Sequence, residues 1–142
     1  MTRTVRTRLH DDHGRVTVYF AILAPAFLAM LGLVVDGGAK VRALQRADNI
    51  ASETARTAGQ AINAGQAITG GSKEVDPALA AEAAQAYLAG LDGVTGSVTV
   101  APDRQNLTAT VSLTWDPLLL DLFGALGSTT VTGTATVTLV AQ

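Results

Sequence analysis

The sequence predicts an α+β fold: a long N-terminal helix, first transmembrane and then amphipathic, followed by a short helix and a small three-stranded antiparallel sheet. Residues 16–35 contain no Asp, Glu, Lys, Arg or His, and apolar residues then recur at helical spacing up to about Ile62. From Ser97 onward, apolar residues alternate with Thr or Ser at a period of two, which is typical of strands with one buried face. One small domain carried by an apolar helix accounts for all three patterns.

Residues 16–35 are long and apolar enough to cross a membrane as one helix. Eleven of these twenty residues are Val, Ile, Leu or Phe, and each favours insertion into lipid by about 0.3 to 0.6 kcal/mol. A removable secretory signal is the alternative, since basic residues precede the run, but the apolar part of such a signal spans only about 7 to 15 residues. We therefore predict a permanent transmembrane helix over 16–35, in contact with membrane lipid.

Basic residues flank this run unequally. The predicted leader, residues 1–15, contains four arginines, and three basic residues follow the run. They are Arg3, Arg6, Arg8 and Arg15 before it and Lys40, Arg42 and Arg46 after it. Because segments rich in Lys and Arg stay in the cytoplasm, we predict a single-pass cell membrane protein with a cytoplasmic N-terminus and its C-terminal domain outside.

Two places are expected to bend the helix. Pro25 lacks a backbone N–H and its ring clashes with the preceding turn, so we expect a kink there. Gly37 and Gly38 each cost about 1 kcal/mol of helix stability relative to Ala. Since they lie where the chain leaves the bilayer, we expect a hinge at this pair.

Small residues give the span a surface on which another helix can pack closely. This surface is Ala21, Ala24, Ala29 and Gly32. We expect a neighbouring helix to lie against it, so that Gly32→Ile blocks the contact and leaves membrane insertion intact. An Ala-rich anchor without a partner is the alternative.

Residues 36–68 are predicted to continue the helix as an amphipathic segment. Seven residues recur at intervals of three and four on one side, and six of them are apolar. They are Val41, Leu44, Asp48, Ala51, Ala55, Ala58 and Ile62. This side packs either on other helices or on the sheet of the same chain. Both contacts can occur together if they lie at different positions along the helix.

Residues 69–142 are predicted to form a small extracytoplasmic α+β domain. Asp76 caps and Pro77 begins a helix that extends to about Leu91. Its predicted buried side is Leu79, Ala83, Ala86, Tyr87 and Leu91. Strands are predicted at 97–100, 107–115 and 129–140, the first two joined by a turn at 102–106. Between the last two strands, residues 118–126 are expected to form a helical turn over the sheet edge.

No enzyme, cofactor or metal site is predicted. Both histidines, His10 and His13, lie in the leader, too close together in the chain to converge on one ion, and no Ser, His and acidic residue have a catalytic spacing. A net charge of −2 leaves no basic face large enough for nucleic acid. Asn106-Leu107-Thr108 has the N-glycosylation spacing, but this pattern is frequent by chance.

Four features of the N-terminal part occur in a fixed order. They are a leader ending in Gly14, the apolar run, Asp36-Gly37 directly after it, and Leu44-Gln45-x-Ala47-Asp48-x-x-Ala51. This order resembles the N-terminal segment of TadE/TadG-like proteins of the Tad (Flp) pilus system. The resemblance extends from Asp12 to about Ile62, and residues 130–136 resemble the last strand of that group.

The resemblance implies a minor pilin or pseudopilin. Its partners would be other pilin-like subunits or Tad assembly proteins, and its pilin-like helix would be held first in the membrane and then in a filament core. The resemblance also implies a prepilin peptidase that cuts between Gly14 and Arg15.

The chain departs from the family pattern at Tyr19, the fifth residue after this bond. Processed members carry a glutamate there, and a neutral phenol cannot supply its charge. The alternative to a structural pilus component is therefore a permanently anchored chain whose extracytoplasmic domain binds or senses a partner and does not enter a filament.

Overall fold

Two helices pack on one face of a three-stranded antiparallel sheet in a computed structural model that describes residues 12–61, 74–124 and 127–138. The helices are α1, Asp12–Gly59, and α2, Pro77–Ala89, and the strands are β1, Val94–Val100, β2, Asn106–Trp115, and β3, Thr129–Thr138. The strand order is β1-β2-β3, and both pairs are antiparallel. The predicted fold class is confirmed.

Helix α1 is unbroken over its 48 residues, a length of about 72 Å. Pro25, Gly37 and Gly38 all lie inside it, and the helix continues past each of them. The expected kink at Pro25 and the expected hinge at Gly37 and Gly38 stay predictions. The helix begins within the predicted leader and ends at Gly59, before the predicted limit at residue 68. Its end tightens into a turn in which Ala61 donates to the carbonyl of Ala58 at 3.1 Å. Ile62 lies outside the described residues.

The two halves of α1 have opposite surroundings. Every large hydrophobic side chain within residues 16–35 is exposed, and only 6% of the most apolar stretch is buried. In the second half, Ala47, Ala51, Ala55 and Ala58 are completely buried against the rest of the chain. This half of α1 therefore packs against α2 and the sheet and contributes to their core.

At the start of this second half, the buried residues are not those predicted for the apolar side of residues 36–68. Val41, Leu44 and Asp48 are exposed, whereas Ala47 is buried. The reason is the close approach of β3: a Cβ on Gly133 would lie 2.3 Å from the carbonyl carbon of Ala47. Only a small side chain fits on α1 at such a distance, and Val41 and Leu44 therefore lie on the outer side.

Helix α2 begins as predicted. The side-chain Oδ1 of Asp76 accepts hydrogen bonds from the N–H groups of Ala78 at 2.9 Å and Leu79 at 3.2 Å, which satisfies two donors of the first turn. The predicted buried side is displaced by one residue. Its buried residues are Ala80, Ala84 and Leu88, while Leu79 and Ala86 are exposed and Ala83, Tyr87 and Leu91 are half-buried. Because α2 is nearly uniform in Ala and Leu, its sequence alone does not fix which side faces the sheet.

The alternation predicted for the strands is confirmed. The inward side chains of β2 are buried, and they are Leu107, Ala109, Val111, Leu113 and Trp115. The opposite face carries hydroxyl groups that bond across strands, as between Thr108 and Thr136 at 2.9 Å and between Ser112 and Thr132 at 3.1 Å. Strand β1 begins at Val94, earlier than predicted, and residues 139–142 lie outside the described residues.

We expect Gly133→Ala to lower the free energy of unfolding by about 3 kcal/mol, because the added Cβ meets helix backbone and one element must move. Urea unfolding of the full-length chain in detergent micelles measures this. Gly127→Ala is the control, since a Cβ there meets nothing within 4 Å, and it should change stability by less than about 0.5 kcal/mol. An unchanged transition for Gly133→Ala would mean that α1 and β3 are not held this closely.

Candidate functional site

The first carboxylate after the apolar run lies in the protein interior. Asp36 follows residues 16–35 directly, is located in the middle of α1, and has no exposed surface. A carboxylate that is removed from water requires hydrogen-bond donors or a positive charge. The donors to Asp36 come from a distant part of the chain.

Three consecutive backbone N–H groups donate to the two oxygens of Asp36. Oδ1 accepts from Leu118 at 3.0 Å and from Leu119 at 3.3 Å, and Oδ2 accepts from Leu119 at 3.0 Å and from Leu120 at 2.6 Å. Hydrogen bonds to an ionised acceptor are roughly twice as strong as neutral ones. Asp36 therefore fixes the connection between β2 and β3 against α1.

The same hydrogen bonds keep the carboxyl group ionised. Removal from water raises the pKa of Asp36, but the N–H groups of Leu120, Leu118 and Leu119 together outweigh this effect, and the pKa lies below its ordinary value of 3.8. A lowered pKa means that the stabilisation by Asp36 is complete above the pKa of the unfolded chain. It is lost as the pH falls through the lower pKa of the folded chain.

We call residues 118–122 the leucine loop; its first three residues donate to Asp36. Its end overlaps a 3-10 turn at Asp121–Phe123, which Gly124 closes in the left-handed region at φ 62°. A helical turn is therefore present within the predicted segment, and the three residues that precede it are held against α1. A Cβ on Gly32 would lie 3.3 Å from the Cβ of Leu119.

The leucine loop covers Gly32, which was predicted to contact a neighbouring helix. Gly32 is buried by its own chain, so a partner helix cannot reach it unless the loop is displaced. Gly32→Ile would therefore disturb the loop before it affected a partner. Ala21, Ala24 and Ala29 are exposed and remain open to another helix.

Of the other predicted site residues, Gly14, Arg15 and Tyr19 line one open depression on the start of α1, together with Val18 and Ile22. Gly14, Arg15 and Tyr19 are exposed near the start of α1, and Gln45 and Asp48 are exposed in its second half. Of the family-motif residues, Asp36, Ala47 and Ala51 are buried, the first against the leucine loop, the second against β3 and the third in a cluster with Leu88 and Val111. The predicted site residues among them are positions along one helix, which is suited to contacts between helices.

Nothing in the described part of the chain assembles an obvious reaction centre. No group of three or more His, Asp or Glu side chains within it is placed to hold a metal ion. A shallow depression between β1 and β2 is lined by glycine, aliphatic and hydroxyl side chains, among them Thr95, Ser112 and Thr114. The hydroxyl groups of this depression can donate and accept hydrogen bonds.

The asparagine of the glycosylation pattern already has hydrogen-bond partners. Its Nδ2 donates to Oδ2 of Asp103 at 2.7 Å, and its Oδ1 accepts from Thr138 at 2.7 Å. The N–H of Gln105 and the amide of Asn106 lower the pKa of Asp103. Asn106 therefore joins the turn before β2 to the end of β3, which is a structural role.

The helix that carries Asp36 contains a segment that matches a known protein family. Residues 14–56 match the model of the TadE-like protein family. The match begins at Gly14, includes the apolar run and Asp36, and ends within α1, which confirms the resemblance stated from Asp36-Gly37 and the motif after it. The TadE-like segment covers less than half of the chain, and α2 and the sheet lie outside it. Comparisons with curated proteins and with solved structures gave no match.

We expect Asp36→Asn to loosen the leucine loop, because an amide offers one acceptor oxygen and its NH2 group would face backbone donors. Amide hydrogen exchange at Leu118, Leu119 and Leu120 should accelerate, and the melting temperature of the full-length protein in detergent micelles should fall. Asp121→Asn changes an exposed carboxylate next to Leu120 and should leave both quantities unchanged. Equal protection in all three proteins would contradict the role of Asp36.

Acidification should loosen the loop in the unsubstituted protein in the same way. Exchange at Leu119, corrected for its intrinsic pH dependence, should stay slow at about pH 5 and accelerate only below pH 3.8. In Asp36→Asn it should be fast throughout. Loss of protection well above pH 4 would show that the pKa of Asp36 is not lowered.

Proposed function

We propose that this chain is a membrane-anchored structural component of a Tad-type pilus or a related envelope machine, and that it acts through packing between apolar helices. The TadE-like match over residues 14–56 carries the proposal, because it coincides with the exposed apolar half of α1. The core helix of a soluble domain is mostly buried. Exposed side chains such as Phe20, Phe27 and Met30 require lipid or neighbouring helices instead.

In this proposal α1 crosses the cell membrane once, with the N-terminus in the cytoplasm and the domain outside. The length and composition of α1 are sufficient for one crossing, and the arginines of the leader support the orientation. Prepilin peptidase is a partner if the bond between Gly14 and Arg15 is cut. Both residues are exposed, as a protease substrate requires.

Other pilin-like subunits or Tad assembly proteins would contact the small residues of the span. Ala21 and Ala24 lie three positions apart and are exposed, so they share one side of the helix. Small side chains at such positions allow two helix backbones to approach closely. With Gly32 covered by the leucine loop, this contact is centred nearer the cytoplasmic end of the span.

We expect Ala24→Ile to reduce recovery of the chain with the pilus fraction, because the larger side chain keeps the helices apart while the span stays apolar. Ile22→Leu alters another exposed position with no change in volume and should leave recovery unchanged. Both variants should remain in the membrane fraction. Normal recovery of Ala24→Ile would remove the support for this contact.

A second function is favoured by one residue. Tyr19 is exposed, with 68% of its surface accessible, at the position where processed family members carry glutamate. A chain that is neither cut nor built into a filament would remain anchored and would present its hydroxyl-bearing sheet face for binding or sensing.

The mass of the mature protein from its own host distinguishes the two functions. A chain that begins at Arg15 is expected if it follows the pilin route. An intact leader would count against filament entry and favour the fixed anchor. Deletion of residues 1–35 should preserve ligand binding only in the second case.

A further inference from the structure

We propose that the leucine loop is immersed in the lipid of the membrane, in the leaflet through which α1 passes to reach the domain. The loop would be a second membrane contact beside the helix itself. This inference rests on the membrane-anchoring part of the proposed function and requires no pilus.

The position of the loop follows from its contact with the span. Leu119 and Leu120 lie against Gly32, which is three residues before the end of the predicted span at Val35. At 1.5 Å per residue, the contact lies about 4.5 Å inside that end. Peripheral apolar segments are buried about 5 to 10 Å into the boundary between headgroups and acyl chains. The fold therefore holds the loop at the depth of this boundary.

The outer surface of the loop has the chemistry of a lipid contact. Leu118 and Leu122 are 75% and 78% exposed. Among the described residues outside α1, the remaining exposed large hydrophobic side chain is Leu79, at 47%. Two leucines that would be unfavourable in water are thus concentrated where the domain meets the membrane.

Asp36 makes immersion of the loop possible. Backbone N–H groups without partners are excluded from lipid because no water can satisfy them. The N–H groups of residues 118, 119 and 120 all donate to Asp36, and the carboxylate itself has no exposed surface. The loop therefore presents leucine side chains to lipid without three free donors.

Asp121 limits how far the loop can enter. It lies between Leu120 and Leu122 and is exposed, and an ionised carboxylate is costly in the hydrocarbon core. Asp121 therefore keeps the loop at the boundary between headgroups and acyl chains. A neighbouring protein subunit is the other possible cover for these leucines, but lipid already surrounds the span that the loop touches.

Single-cysteine variants test the inference directly, because the chain contains no Cys. Leu118→Cys and Leu122→Cys are labelled with an environment-sensitive fluorophore in the full-length chain. The protein is placed in phosphatidylcholine and phosphatidylglycerol vesicles that carry nitroxide lipid, and iodide serves as the aqueous quencher. Leu79→Cys is the control in the domain, and Val34→Cys is the control in the span, where Val34 is 72% exposed.

Nitroxide lipid should reduce the fluorescence at residues 118, 122 and 34 but not at 79, and iodide should act only at 79. If residues 118 and 122 behave like 79, the loop lies in water and the inference fails while the anchor stands. Protection of both residues from both quenchers would mean that protein covers them, which also overturns it. If the label at 34 is not quenched by lipid either, the anchor fails together with the inference.

Discussion

The close approach of β3 to α1 decides which residue sizes the second half of α1 can carry. At Ala47 and Gly133 there is no room for even one more carbon atom, so the second half of α1 presents alanines to the sheet. Some twenty residues earlier the same helix is covered with Phe, Leu, Ile and Val. The two halves of one continuous helix therefore differ in side-chain size. The large buried side chains of the domain core come from other parts of the chain, including Val75, Leu107 and Val111.

Asp36 marks the point at which the helix passes from one environment to the other. The β2–β3 connection continues from two strands of the sheet, and the hydrogen bonds of Asp36 attach it directly to α1 as well. This attachment combines a charged acceptor with backbone donors, so it depends on the path of the connection and not on its side chains. The domain is consequently tied to the helix both at the sheet and at the membrane end.

Much of the fold could be predicted from the sequence, because strands and apolar spans have strong periodic signals. The buried face of β2 was correct at every position from Leu107 to Trp115, since Thr and apolar residues alternate without exception there. The rotation of α1 and α2 was less certain, because alanine is common on several sides of each helix. The hydrogen bonds of Asp36 could not be predicted from the sequence. The sequence shows a single acidic residue after an apolar run, but its partners are backbone groups more than eighty residues away.

An unbroken helix has a mechanical consequence for the molecule. Because α1 is one helix from Asp12 to Gly59, the side of the helix on which Ala24 lies has a set orientation relative to the side that packs on the sheet. One residue inserted between the two would turn the outer part by about 100° relative to the inner part. The number of residues between Ala24 and the sheet contact at Ala47 therefore sets the direction in which the sheet lies relative to the small-residue side of α1.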